Sequence, residues 1–267
     1  METSAQPGVS VRSIVVAGVL GAIAILLGYT RLGFIPVPTP AGNATIMHIP
    51  AIIGGILEGW PVGAAIGTIF GVFSFLQSTT PIFKDPLVAI LPRVFIGITP
   101  FFVYQGLRRV NRSAGFAIAG LILVLVGIFA YDMLTFVPKD LVFDFGGDPA
   151  SPWIHLTGGT ALLVYQILGG GLILLGLAAA GTFAYFVMRN QMELLAIGAA
   201  AVVGTLTNTV LVLGMIVVRG YLTADVALGI GITQGIPEII VAVLVTVAVV
   251  AAWKGIESGG GGGSRKV

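Results

Sequence analysis

Apolar stretches long enough to cross a bilayer recur along almost the whole chain, and that pattern excludes nearly every soluble architecture. A membrane-crossing helix needs about 20 mostly apolar residues. Segments of this kind cover roughly 13–30, 45–58, 61–77, 86–106, 114–136, 158–188, 194–218 and 229–253. The second is short. It is parted from the third by "LEGWP" (57–61), where Glu58 and Trp60 suit an interface and Pro61 suits the first turn of a new helix. Only 9% of the residues are charged, against about a quarter in a soluble chain. The expected fold class is an all-α integral membrane protein with eight spans.

Several chemistries are excluded. Without cysteine there is no disulfide, thiolate metal site or cysteine nucleophile. His48 and His155 are the only histidines, too few for a multi-histidine metal centre. No GxxxxGK[ST] phosphate loop, HExxH pair or GxSxG elbow is present, so neither ATP hydrolysis nor these enzyme classes is expected. Paired membrane carboxylates and matching halves with broken helices are also missing, which disfavours proton pumps and inverted-repeat carriers. No cofactor or metal is expected, and nothing suggests a nucleic-acid partner. The opening "METSAQPGVSVR" lacks the layout of a cleavable signal peptide.

Lysine and arginine placement sets the expected orientation. With an even number of spans, one side carries Arg12, Arg108, Arg109, Arg112, Arg189, Lys254, Arg265 and Lys266. The other carries only Arg31, Lys84, Lys139 and Arg219. Both termini are therefore expected in the cytoplasm, with "TFVPKDLVFDFGGDPASPW" (135–153) outside.

Against this apolar background, "PLVAILPRVFIGI" (86–98) holds a cation, Arg93. A guanidinium at mid-membrane costs at least ~2.5–3.5 kcal/mol on insertion scales, so something must offset it. At about 1.5 Å of rise per residue, Arg93 lies roughly 10 Å below the outer end of its span, Asn208 roughly 15 Å, Gln234 roughly 8 Å and Glu238 roughly 14 Å. Three spans thus place one cation, one carboxylate and two amides in a single slab. Pro92 and Pro237 stand beside members of the set, and each frees a backbone carbonyl a turn earlier. Such irregular backbone is tolerated where it lines a cavity or is buried in protein. The expected result is an outward-facing pocket. Two plainer readings stand beside it: Arg93 and Glu238 form a buried salt bridge, and Asn208, with Thr205, Thr207 and Thr209, ties helices together. Asp132 reads as interfacial. His48 reads as a structural donor or as part of the pocket mouth.

The first span, "SIVVAGVLGAIAILLGY" (13–29), spaces Ala17 from Gly21, Gly18 from Ala22 and Ala24 from Gly28 by four residues. That makes a small-residue groove for a close helix contact, internal or with a partner.

Taken together, "ATIMHIPAIIGGILEGWPVGAAIGTIFGVFSFLQ" (44–77), "DPLVAILPRVFIGI" (85–98) and "GTLTNTVLVLGMI" (204–216) resemble the S component, the substrate-binding membrane subunit, of energy-coupling-factor (ECF) vitamin transporters. "MHIP", "LPR.FIGI" and "TLTNT" are most similar to the pantothenate-type group. The resemblance implies a prokaryotic cell-membrane protein with six core helices, the first four in 1–112 and the last two in 191–257. A two-helix hairpin would be inserted at 113–190, and 258–267 would be a flexible glycine-rich tail. It further implies a vitamin, pantothenate or another, bound under the loop "RLGFIPVPTPAGN" (31–43), so that Asn43 and His48 join Arg93, Asn208, Gln234 and Glu238 as candidate binding residues. Ala17, Gly18, Gly21 and Ala22 would contact the T component, and two separate ATPase subunits would power uptake. A self-sufficient ion-coupled carrier, gated by Glu238 and Arg93, is the rival from another class; an intramembrane enzyme is a third.

Overall fold

The computed structural model describes residues 10–35, 44–135, 140–143, 154–189 and 191–260. Two compact units partition the chain: residues up to 106 together with those from 196 onward, and residues 107–195.

In the first unit, α1 (Val11–Tyr29) begins where the Ser10 hydroxyl accepts from the Ser13 amide at 3.1 Å, an N-cap that satisfies a donor with no helical partner. A two-residue antiparallel pair, β1 (Phe34–Ile35) with β2 (Ala44–Thr45), leads into α2 (Ile49–Glu58). Gly59, at φ +100°, ends α2 and turns the chain into α3 (Trp60–Gln77), with Pro61 in its first turn.

Among the described residues seven helices are long and apolar enough to cross a membrane, one fewer than the expected eight. The exception is the segment 45–58, because residues 44–48 are strand and turn and only ten residues are helical. The segment still runs most of the length of α1. At one end Glu58 accepts from Arg12 at 2.8 Å and from Ser13 at 2.9 Å; at the other, Met47 fills the space beside Gly28. Extended backbone covers about twice the distance per residue of a helix, which is how so short a helix suffices.

The fourth span is two helices, α4 (Pro86–Ala89) and α5 (Leu91–Leu107), broken at Ile90. Close backbone packing holds α5. A Cβ on Gly63 would lie 2.6 Å from the Gly97 carbonyl oxygen, and one on Gly67 or Gly55 would strike the carbonyl of Arg93 or Gly97. The spacing Gly63–Gly67–Gly71 is a small-residue groove on α3, and it seats the very turn of α5 that carries Arg93.

The second unit holds α6 (Arg112–Thr135), the antiparallel hairpin β3 (Asp140–Phe143) with β4 (Ile154–Thr157), and α7 (Gly158–Met188). Ala119, Phe183, Val187 and Leu195 form its small core.

The last helices are α8 (Met192–Val218) and α9 (Ala224–Gly260), joined through Gly220 at φ +73°. α9 continues into the glycine-rich tail as far as Gly260. In the first unit Ile52, Ile66, Ile96, Ile197 and Ile230 are fully buried. Ion pairs clasp this unit at both ends: Arg12 with Glu58, and Arg219 with Asp85 at 2.6 Å. Asp85 also caps α4 by accepting from the Leu87 amide at 3.0 Å.

Candidate functional site

Arg93 lies in the first turn of α5 and is 5% exposed. The local sequence explains its anchorage. Pro92 has no N–H, so the carbonyl of Val88, which that N–H would have engaged, is left open. The Arg93 guanidinium donates to that carbonyl through Nη1. Its faces meet aromatic rings, with Cζ 5.5 Å from the Phe70 centroid and 5.3 Å from that of Phe83, contacts that favour a cation. Nε is buried and has no hydrogen-bond partner among the described residues.

Glu238, on α9 and 3% exposed, does not pair with Arg93: among the described residues no ion pair joins them within 4 Å. Its carboxylate instead accepts from the backbone N–H of Thr45 at 2.6 Å and, at the limit of 3.5 Å, from the Thr209 hydroxyl. Glu238 therefore ties β2 to α9 and α8. The two opposite charges still act on one another at longer range.

His48, at the start of α2, is 0% exposed. Its Nε2 is 3.1 Å from the Thr205 hydroxyl of α8, while Nδ1 is buried and, among the described residues, within hydrogen-bond geometry of no partner. The structural-donor reading thus accounts for Nε2, and the Thr45 backbone also acts on the ring. Asn208 is 6% exposed, and its Oδ1 is buried with no hydrogen-bond partner among the described residues. Thr205, Asn208 and Thr209 fall on one face of α8 at i, i+3 and i+4. Thr207 points elsewhere, to Thr99 of α5 at 2.8 Å. The helix-tying reading therefore fits Thr207 rather than Asn208.

Gln234 is half-buried, one turn before Glu238 on α9. Asn43 lies outside the described residues, as do the side chains of Asp132 and His155. The small-residue stripe on α1 divides between two faces. Gly21 is buried, with Ile69 of α3 2.9 Å from where its Cβ would be, and Ala17 is half-buried. Gly18 and Ala22 are exposed, and none of the described residues lies within 4 Å of a Cβ on Gly18. Gly21 is thus spent on internal packing and is not open to a partner.

Sequence reasoning missed the Thr45 amide, the pair Phe70 and Phe83, and the Gly63–Gly67–Gly71 seam. Only the seam carried a signal, its four-residue spacing.

The helices and the buried charged cluster describe a multi-pass membrane protein with a polar interior. The family model for the ECF transporter substrate-specific component matches residues 12–154, over half the chain, and the chain belongs to that family. Such components serve transport rather than catalysis. Among curated relatives, the pantothenic acid transporter PanT of Lactococcus lactis subsp. cremoris (strain MG1363) is 33% identical over 112 residues. That alignment covers 33% of this chain and 57% of PanT, so the chain spans little more than half the length of that relative.

Proposed function

We propose that this chain is the binding subunit that captures pantothenate for ATP-driven uptake, with Arg93 holding the vitamin's carboxylate. The observation that carries this reading is a guanidinium 5% exposed, fixed by Val88 and two rings, with no carboxylate within 4 Å among the described residues. A buried cation favours an anionic partner, because an unpaired charge in a low-dielectric interior is costly. The substrate for which PanT is named is consistent with this chemistry, since pantothenate joins a carboxylate to an amide and hydroxyls. Asn208 and Gln234 would face those groups, while Glu238 holds the Thr45 backbone against the site.

In this reading the Thr45 end of the helices faces outward, both termini are cytoplasmic, and a T component with two ATPase subunits supplies the power stroke. Gly18 and Ala22, on the exposed face of α1, would belong to the T-component contact.

Calorimetric titration of the detergent-solubilised chain tests this, with riboflavin, biotin and folate as competitors. Selective pantothenate binding without ATP is expected. Arg93→Ala should weaken it by roughly ten- to a hundred-fold, the ~1.5–3 kcal/mol of a charge-assisted hydrogen bond. Unchanged affinity in that variant would refute the carboxylate assignment. Tight binding of a different vitamin would replace the substrate. Transport by the chain alone, without ATPase subunits, would replace the mechanism.

A further inference from the structure

One end of the second unit is strongly basic. Arg108, Arg109 and Arg112 occupy the link from α5 into α6, and Arg189 caps the end of α7. Glu193 is the sole carboxylate in 105–118 and 183–195. Packing brings these pieces together. A Cβ on Gly115 would lie 2.8 Å from Cγ2 of Val187, so the first turn of α6 rests directly on the last turn of α7. Leu107 and Met192 pack on the same small core as Val187, and Arg108 and Arg109 therefore leave from that end too.

Little within the protein balances these charges. All four arginines are exposed. Arg108 and Glu193 have partners, but among the described residues no ion pair within 4 Å involves Arg109, Arg112 or Arg189. Arg112 even opposes the dipole of α6, whose N-terminal end is positive. That end already has its cap, since Asn111 accepts from the Ala114 amide at 2.8 Å.

Nor do the cations simply extend into water, as long basic side chains at span ends commonly do. Arg112 Cζ lies 5.9 Å from the Phe116 centroid, and Arg189 Cζ lies 5.5 Å from that of Tyr185. Both rings belong to residues one turn deeper in the spans Arg112–Tyr131 and Gly158–Met188. The two guanidiniums are thus held at the rim of the apolar segments, at the level of bilayer headgroups. A guanidinium stacked on a ring keeps its N–H edge for a phosphate.

We propose that this end of the second unit binds an anionic phospholipid, with Arg112 and Arg189 on the phosphate and Arg109 adding to the local field. Phe116, Tyr185 and Met188 are exposed beside the arginines and give the acyl chains an apolar surface that a soluble anion does not need. A zwitterionic headgroup brings its own cation into the cluster and is disfavoured. Neither the vitamin nor the direction of insertion enters this assignment.

The test adds phosphatidylglycerol or phosphatidylcholine to the purified full chain in detergent, reading bound lipid by native mass spectrometry alongside the unfolding midpoint. Phosphatidylglycerol should bind more tightly and raise the midpoint, and its advantage should shrink at high salt. One arginine near an anionic surface contributes roughly five-fold in affinity. Arg112→Gln with Arg189→Gln should therefore weaken phosphatidylglycerol binding by roughly ten- to thirty-fold. Arg31→Gln with Lys84→Gln removes the same charge from the first unit and should change it little. Equal binding of the two lipids by the unmodified protein would overturn the proposal, as would a full advantage for phosphatidylglycerol in the arginine variant. An equal loss in the first-unit variant would reduce the effect to net charge and overturn the site. Inorganic phosphate that raises the midpoint as far as phosphatidylglycerol would overturn the lipid as occupant. These readouts need no vitamin, so they stand or fall separately from the pantothenate titration.

Discussion

Glycines are plentiful in both units, yet they do different work in each. In the first unit, Gly55, Gly63, Gly67 and Gly97 let backbones meet, and a Cβ at any of them would strike a neighbouring main chain. In the second, Gly120, Gly127, Gly170, Gly171 and Gly181 have nothing among the described residues within 4 Å of where a Cβ would be, and Gly115 and Gly176 meet only the side chains of Val187 and Val126. Burial follows the same division. Of the most apolar window in Pro86–Leu107, 44% is buried, against 11% in Arg112–Tyr131 and 6% in Gly158–Met188. A close seam is what allows the first unit to enclose a guanidinium and a carboxylate. The helices of the second unit present Leu121, Ile128, Ile167 and Leu174 outward, so membrane solvation rather than packing keeps them in place. Glycine abundance alone therefore does not identify a packing interface; what decides is whether another backbone lies opposite.

The largest effect is expected where two backbones touch. Gly97→Ala would drive a methyl group into the backbone of Gly63, and no side chain there can rotate away. Overpacking typically costs about 1–3 kcal/mol, occasionally more, and here it also displaces the turn bearing Arg93. The thermal unfolding midpoint in detergent should fall and pantothenate binding should be lost. A variant that unfolds at the original temperature would show that the seam is not tight.

Next comes the tie between Glu238 and Thr45. Glu238→Ala leaves a buried backbone donor unsatisfied, at a cost of about 1–3 kcal/mol. Glu238→Gln keeps an acceptor for the Thr45 amide and should preserve most of the stability. If the two variants unfold alike, the carboxylate's charge matters rather than its hydrogen bond.

The same comparison shows what could be read from the residues. The long spans were legible because hydropathy over about 20 residues is set by the bilayer itself. The open carbonyl before α5 was legible from Pro92, since a missing N–H has only one consequence for the carbonyl a turn earlier, but the break at Ile90 was not, and α9 runs on through Pro237. The start of α2 was not: "ATIMHIP" is as apolar as a helix, and only its pairing with Phe34–Ile35 shows that Ala44–Thr45 is strand. The partner of Glu238 was hidden for a related reason. A backbone amide carries no sequence signature, so opposite charge pointed to Arg93, whereas the fold supplied Thr45. Gly21 shows the limit of spacing rules, which identify a groove but not which molecule fills it.

In the open hairpin the expected change has the opposite sign. Gly127→Ala adds a methyl group into free space and removes the backbone entropy penalty of a mid-helix glycine, about 0.5–1 kcal/mol. The unfolding midpoint should hold or rise slightly. A clear fall would place an unseen neighbour against α6 and weaken the contrast between the units.

The smallest effect belongs to the clasp of Asp85 and Arg219, and it appears only as a change with pH. The Arg219 hydrogen bond, aided by the Leu87 amide, holds the Asp85 carboxyl below the usual carboxylate range. The folded state therefore binds this proton less readily than the unfolded chain does. The stabilisation is fully present above the unfolded pKa of about 3.9 and disappears as pH falls through the lower folded value. Arg219 stays charged throughout, since the same contact raises its pKa. Asp85→Asn keeps a side-chain acceptor for the cap of α4 while removing the charge. The difference in unfolding midpoint between the native protein and Asp85→Asn should be constant near neutral pH and shrink below about pH 4. No difference between the two proteins near neutral pH would assign the contribution of Asp85 to its cap, leaving the ion pair with Arg219 without a measurable share in holding that end of the first unit.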